Sequence, residues 1–537
     1  MGRVLPATMT RRFLLSLAVA GAFAPLAEAK LKLPALVSDH MVLQPETRAN
    51  VWGWAEPGEK VTVKFADQTV STQAGADGKW SARLVELKAG TTGDLTITGE
   101  DEKVVKDVIV GEVWVASGQS NMEWIVANAK DAAQEQAAAN FPQIRMFTVQ
   151  KAAEAAAKDD CIGQWQVCAP ETVGRFSAVG YFFARELHQK MKVPVGVIHT
   201  SWGGTPAEFW TPSTVLEREP KFQRYFNRWK SEKEKYPEAK KAYDEAYAKW
   251  EQASADAKAA GQPIPPTPRM PRGGNAFGAP GCLWNGMIEP VLPYTIQGAI
   301  WYQGEANGGS AEDAELYRVL FPTMILSWRR AWAQGGLEGS DQPDFPFLFV
   351  QLANYRTRYP DPVDSSWARL RESQLETLEL PRTGMAVAID VGEAGDIHPK
   401  NKQEVGRRLA LSALAQVYFQ DAEYSGPIIS SWQDEDGKIR LSFRNADGLK
   451  AADGGKIKGF AIAGEDRKFV WADVVIDGDH VLISSPQVPK PEAVRYGWQD
   501  NPEVNLVNEA GLPASPFRTD DWPWVQPPAP PAPAPAK

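Results

Sequence analysis

Apolar and polar positions along this chain change period several times, and each change predicts a different kind of element. Between residues 30 and 105 short runs alternate, as in Val51-Trp52-Gly53-Trp54, Val61-Thr62-Val63-Lys64-Phe65 and Leu95-Thr96-Ile97-Thr98, with turn signals at Glu56-Pro57-Gly58 and Asp77-Gly78. Such alternation predicts half-buried strands, here a small N-terminal β-sandwich. Continuous apolar runs follow at Val108 to Ala116, Val193 to Ile198, Ile296 to Trp301, Phe347 to Gln351 and Met385 to Asp390, separated by helical stretches such as Ser177 to Lys190. Buried strands alternating with helices predict an α/β region, a parallel sheet covered on both faces, over residues 106–211 and 281–424. Short strands return over 425–523, as in Lys438 to Phe443 and His480 to Ile483, and predict a C-terminal β-rich region.

Residues 212–280 interrupt the alternation. Glu217 to Lys258 is rich in Lys, Glu and Ala with aromatics spaced like a helix face, and Pro263 to Gly281 is rich in Pro and Gly. This predicts a helical insertion, either lying over the sheet edge and shaping a substrate entrance or serving as a solvated spacer. Residues 524–537 end in almost pure Pro and Ala, the composition of an extended disordered tail.

The first 29 residues read as an export leader. Arg11-Arg12 precede the apolar run Phe13 to Ala20, which is short for a membrane span, and Ala27-Glu28-Ala29 has the A-x-A cleavage pattern. The paired arginines fit a twin-arginine route as well as an ordinary signal. The expected product lies outside the cytoplasm, periplasmic or extracellular, with no membrane attachment once the leader is gone. A net charge of -9 with no basic block gives no electrostatic reason to bind nucleic acid. The 20 Trp suit stacking on sugar faces, although most of them belong in a core. Of the three cysteines, Cys161 and Cys168 are close enough in sequence to close a small loop, leaving Cys282 over; a cysteine zinc site is not indicated.

Three polar, glycine-bearing segments each follow an apolar strand. Gly118-Gln119-Ser120-Asn121-Met122 follows Val108 to Ala116 and offers Ser120 as a nucleophile, with the backbone N–H groups of a helix start behind it. Met122 stands where the Gly-x-Ser-x-Gly elbow has its last glycine, which argues against a standard α/β-hydrolase. Ser201-Trp202-Gly203-Gly204-Thr205-Pro206 supplies glycines whose amides can approach a ligand closely, and Trp301 to Asn307 supplies the Gln303 amide as a further donor. Any one of these alone is as readily a turn or a cap; three of them predict convergence on one edge of the sheet. Among five histidines, His398 follows the strand Met385 to Asp390 and directly precedes a helix started by Pro399 and running through Val405 to Tyr418, which makes it the candidate general base.

The segments Gly118–Met122, Ser201–Pro206, Trp301–Asn307 and Asp396–Lys400 resemble the sialate O-acetylesterase family, a branch of the SGNH hydrolases. Ser38–Gln44, Leu283–Ile288, Val494–Tyr496 and Pro516–Arg518 match as well, so the resemblance covers nearly all of the mature chain. It implies a flavodoxin-like SGNH domain with added β-domains, no metal or cofactor, and an acetylated carbohydrate as substrate. It also implies that Ser120 attacks the acetyl carbonyl, that the Ser120 amide, a Gly203 or Gly204 amide and Gln303 hold the oxyanion, and that His398 shuttles the proton. Asn121, Glu305, Trp202 and Asn285 are the candidate substrate contacts. The family pattern D-x-x-H would put the orienting acid at Gly395; here Asp396 is the first choice, with Asp390, Glu393 or a backbone carbonyl as alternatives. The substrate is expected to be an O-acetylated sialic acid or an acetylated polysaccharide such as xylan. A carbohydrate-binding protein without turnover, or a lipase or thioesterase of the same superfamily, are the competing readings.

Overall fold

The computed structural model describes residues 1, 31–46, 48–334 and 344–529. The expected leader, Met1 apart, and the end of the Pro/Ala tail lie outside the described residues.

Seven strands make the central sheet: β1 Glu112–Gly118, β2 Phe141–Thr148, β3 Trp165–Cys168, β4 Val195–Ser201, β5 Gly298–Tyr302, β6 Phe347–Gln351 and β7 Thr383–Val387, in the spatial order β3-β2-β4-β1-β5-β6-β7. Only β3 runs antiparallel to its neighbour; all other pairs are parallel. The longer helices among the described residues are α1 Ala178–Met191, α2 Gln223–Ala259, α3 Ala311–Gln334, α4 Ser366–Glu376 and α5 Lys402–Gln416. Strand side chains alternate between faces, so Trp114 of β1 meets Phe183 of α1 at 5.0 Å while Trp301 of β5 meets Phe321 and Trp328 of α3 at 6.2 and 5.9 Å. Helices therefore cover both faces, as an all-apolar strand requires. Each such aromatic stabilises by roughly 1.5–3 kcal/mol through burial.

Several boundaries differ from the sequence pattern, for local reasons. The run Val108 to Ala116 is two strands, because Glu102–Val110 belongs to the N-terminal sheet and β1 begins at Glu112. Gly111 makes the break: a Cβ there would lie 2.4 Å from the Pro194 carbonyl oxygen. Both halves are buried, so periodicity carries no mark of the junction, and the N-terminal sheet extends beyond residue 105. The last helix begins at Lys402 rather than at Pro399, because the Asn401 side chain accepts the Glu404 amide at 3.2 Å and caps it.

The N-terminal strands form a five-stranded sheet and a two-stranded ribbon of Ala49–Trp54 with Lys79–Leu84, and their buried side chains are continuous with the core of the central sheet. The C-terminal strands build two four-stranded antiparallel sheets and a two-stranded ribbon, around a core of their own that includes Ile439, Phe460, Tyr496 and Phe517. The fully buried Arg371 of α4 clasps this region to the central sheet by donating to the carbonyls of Leu352, Ala353, Gln499 and Asp500. The insertion is the long helix α2, along which residues 262–278 return: Trp250 donates to Pro265 O at 2.8 Å, and Gly274 and Gly278 sit tightly against Tyr236 and Trp229. The loop closure considered for Cys161 and Cys168 is not formed; all three cysteines are buried free thiols, and burial pushes Cys161 and Cys168 up to about 12. Among the described residues no helix is long and apolar enough to cross a membrane.

Candidate active site

The strand register decides where the chemistry collects. Gly118 ends β1 opposite both Ser201 of β4 and Tyr302 of β5, so three loops leave the sheet at one level. Gly118 has φ +138°, and a Cβ there would lie 2.2 Å from the Tyr302 carbonyl oxygen, so only glycine turns the chain at this point. The next residues form a single helical turn, Ser120–Glu123. Gln119 ties two loops together, its Oε1 accepting the Gly304 and Ala306 amides at 3.4 and 3.2 Å.

His398 arrives from the loop after β7. Its Nε2 lies 2.9 Å from Ser120 Oγ, the hydrogen bond through which a base takes a serine proton. The ring stacks on Trp124 with centroids 5.1 Å apart and planes 15° from parallel. Burial, and then the charge of Lys402, hold the His398 pKa below the ordinary imidazole value, against the opposing pull of Asp396. A neutral ring at neutral pH follows.

Asp396 Oδ1 accepts the His398 amide at 2.9 Å but lies 3.5 Å from Nδ1, with the carboxylate 40% exposed. The alternatives are engaged elsewhere. Asp390 pairs with Arg408 through two bonds of 2.6 and 2.7 Å, and Glu393 accepts the Lys400 amide at 2.9 Å.

Two expected oxyanion donors are already committed. The Gln303 amide is fully buried and donates both hydrogens, to Thr205 O at 3.3 Å and Asn307 Oδ1 at 2.8 Å, while its oxygen accepts Tyr317 at 2.9 Å. It fastens the β4 and β5 loops together and has no hydrogen left for a ligand. The Gly203 amide donates to Glu123 Oε2 at 2.6 Å, and Lys151 holds the other oxygen of that carboxylate at 2.5 Å. The Ser120 and Gly204 amides donate to no protein acceptor among the described residues.

Three expected substrate contacts also face inward. Asn121 and Glu305 are buried beneath Ser120, where Asn121 Nδ2 donates to Glu305 Oε1 at 2.5 Å and to Ile397 O at 3.0 Å. Asn285 donates to Glu154 O at 3.1 Å and secures a loop. Trp202 behaves differently. It is half-buried, stacks on Phe277 of the insertion at 4.6 Å, and lines a cavity of about 660 Å³ together with Lys151 and Arg272. The insertion thus contributes side chains beside the β4 loop. Arg272 lies over Phe209 and Phe277 and has no acidic partner among the described residues.

The profile of the family described as carbohydrate esterase, sialic acid-specific acetylesterase, matches residues 110–258 and 284–415. The chain belongs to this family. Its relatives include the sialate O-acetylesterases of Rattus norvegicus, 30% identical over 442 residues (76% of each chain), and Mus musculus, 28% identical over 529 residues (90% of this chain, 93% of the other). The crystal structure of a carbohydrate acetylesterase from Xanthomonas citri is similar with a TM-score of 0.77 and 38% identity, covering 92% of this chain and 100% of that one. Membership makes the protein a carboxylic ester hydrolase of carbohydrate. Another histidine near the serine turn, His199 within β4, is buried, and burial takes its pKa down to about 4.

Sequence reasoning missed Trp124, Glu123 and Lys402. Trp124 stands four positions beyond Ser120, one helical turn away, and that spacing was an available signal; Lys402 stands four positions beyond His398 but opens α5, so no helical turn joins that pair. The burial of Lys402, against the rule that lysine is almost never buried, was not visible in its helix's sequence.

Proposed function

We propose that the chain is an exported serine esterase that removes O-acetyl groups from carbohydrate through an acetyl-serine intermediate. The 2.9 Å contact between Ser120 Oγ and His398 Nε2 carries the proposal. Ser120 Oγ attacks the acetyl carbonyl carbon as its proton passes to Nε2. The Ser120 amide and a glycine amide of the β4 loop, Gly204 being the free one, receive the oxyanion. Collapse breaks the ester C–O bond, and the departing sugar oxygen takes the proton from His398. A water then gives a proton to Nε2 and attacks the acetyl carbon, the bond between that carbon and Oγ breaks, and Oγ takes the proton back from Nε2 as the acetyl group leaves as acetate. Asp396 assists as a weak orienting acid. The leader sequence over residues 1–29 supports export to the periplasm or beyond.

Two substrate classes fit: acetylated polysaccharide such as xylan, and O-acetylated sialic acid. Of the cations lining the cavity beside Trp202, Lys151 and Lys158 are paired with Glu123 and Glu154, and Arg272 is the one that favours an anionic sugar. The test is acetate release measured side by side on acetylated xylan and 9-O-acetylated sialic acid by the wild type and Ser120→Ala. The variant is expected to lose turnover on both substrates with its fold intact; retained turnover overturns the assignment of the nucleophile. Mass spectrometry of the wild type quenched during turnover should find the acetyl group on Ser120.

A further inference from the structure

The acid that should orient the base is weakly placed in this protein. The position three before His398 is Gly395, where a Cβ would meet nothing within 4 Å, and Asp396 stands 3.5 Å from Nδ1 on an exposed loop. Something else must hold the histidine loop against the serine turn.

Directly beneath the pair, Asn121 makes that connection. It follows Ser120 in sequence, and its Nδ2 donates to the carbonyl of Ile397, the residue before His398, at 3.0 Å. Its second amide hydrogen goes to Glu305 Oε1 at 2.5 Å, and its Oδ1 accepts Lys402 Nζ at 2.5 Å. Every polar atom of the amide is used. Asn121 is 1%, Lys402 0% and Glu305 9% exposed, so a carboxyl group and an amine are buried on either side of a neutral amide; burial raises the Glu305 pKa and takes that of Lys402 down to about 7. Burying two ionisable groups is costly, and replacing them with apolar residues is often neutral or stabilising. Stability alone does not account for their presence. The amide has two-fold pseudo-symmetry, but a carboxylate on one side and an ammonium on the other impose a single orientation, with the NH2 toward Ile397 and Glu305. Lys402 Nζ also lies 5.4 Å from the centre of the Tyr302 ring and 5.9 Å from that of Trp124, the ring stacked on His398.

We propose that Lys402, Asn121 and Glu305 form a buried positioning relay that sets the Ser120–His398 geometry, taking over most of the work an orienting acid does in a triad. The proposal rests on the serine-esterase reading above. The charged groups around His398 are Asp396 on its own loop, Lys402 on α5 and Glu123 on the serine turn. Lys402 pushes the imidazole toward its neutral form, and Glu123 and Asp396 push the other way.

The test uses the full chain with 4-nitrophenyl acetate, and compares kcat, KM and the pH profile of variants whose melting curves stay cooperative. Asn121→Ala is expected to lower kcat about 100-fold with KM within about 2-fold, the pattern of misplaced reacting groups. Glu305→Gln, which still accepts the Asn121 hydrogen, should keep at least about ten times the kcat of Glu305→Ala. Lys402→Met should move the acid limb of kcat/KM to higher pH, because a cation is removed from beside the base. A merely structural role would not move that limb. A folded Asn121→Ala with kcat within about 3-fold of wild type, or an unmoved acid limb in Lys402→Met, overturns the relay. If Asn121→Ala does not fold, the Glu305 pair and the Lys402 limb decide. Retained activity in Ser120→Ala would instead overturn the esterase reading, so the two failures are distinct.

Discussion

His398 stands between two unlike regions. On its outer side the loop Glu393–Asp396 offers three carboxylates within a short stretch counting Asp390, yet one is locked to Arg408, one caps the Lys400 amide, and the third lies 3.5 Å from the ring and half in water. On its inner side a single amide of the serine turn, flanked by the buried carboxyl of Glu305 and the buried amine of Lys402, bonds to three elements, the histidine loop, β5's loop and α5. Charges on the outside are screened and mobile, whereas a hydrogen bond in the low-dielectric interior is strong and its loss leaves an unpaired group. Geometry in this site is held from beneath, and the exposed acid tunes it from above.

The comparison can be broken at several points. Removing the base itself has the largest expected effect: His398→Ala should cost on the order of 10⁴-fold in kcat, read as acetate release. Next comes the ring that stacks on it. Trp124→Ala should lower kcat by about 10-fold or more while leaving cooperative unfolding in place, since it frees the imidazole to leave the 2.9 Å contact. Asp396→Asn should cost less than about 10-fold; a loss as deep as that of His398→Ala would return the orienting role to the outer loop. The smallest effect is on pH. Burial and Lys402 depress His398, so the base is neutral above a pKa lower than the ordinary imidazole value. The acid limb of kcat/KM should therefore have its midpoint below about 6.5, and a midpoint above that value would mean the outer carboxylates dominate.

Much of the site was legible as segments. Apolar runs ending in Gly-bearing polar loops marked β1, β4 and β5, because a buried parallel strand must be continuously apolar and its loop must turn sharply. Elimination among five histidines reached His398 for the same reason. The side chains inside those loops were less legible. Gln303, Asn121 and Glu305 look like ligand-facing groups in sequence, since polar residues in loops usually meet solvent or substrate, yet all three are buried and bonded to protein. Trp202 does line a cavity, but its partners Phe277 and Arg272 come from an insertion whose return path no periodicity describes.

The sequence by itself determined the strand–helix alternation, the segments that carry Ser120 and His398, and the family, because these depend on local period, on turn residues and on motifs read in order. The tertiary structure alone decided which amides remain free for an oxyanion, where β1 separates from the strand before it, and what holds Ser120 to His398. Those answers depend on register and burial: Gly118 is level with Ser201 and Tyr302 only once the strands pair, and Lys402 becomes a buried partner of Asn121 only once α5 packs beneath the site. Hydrogen-bond donors are finite, and only the folded chain shows which of them are already spoken for.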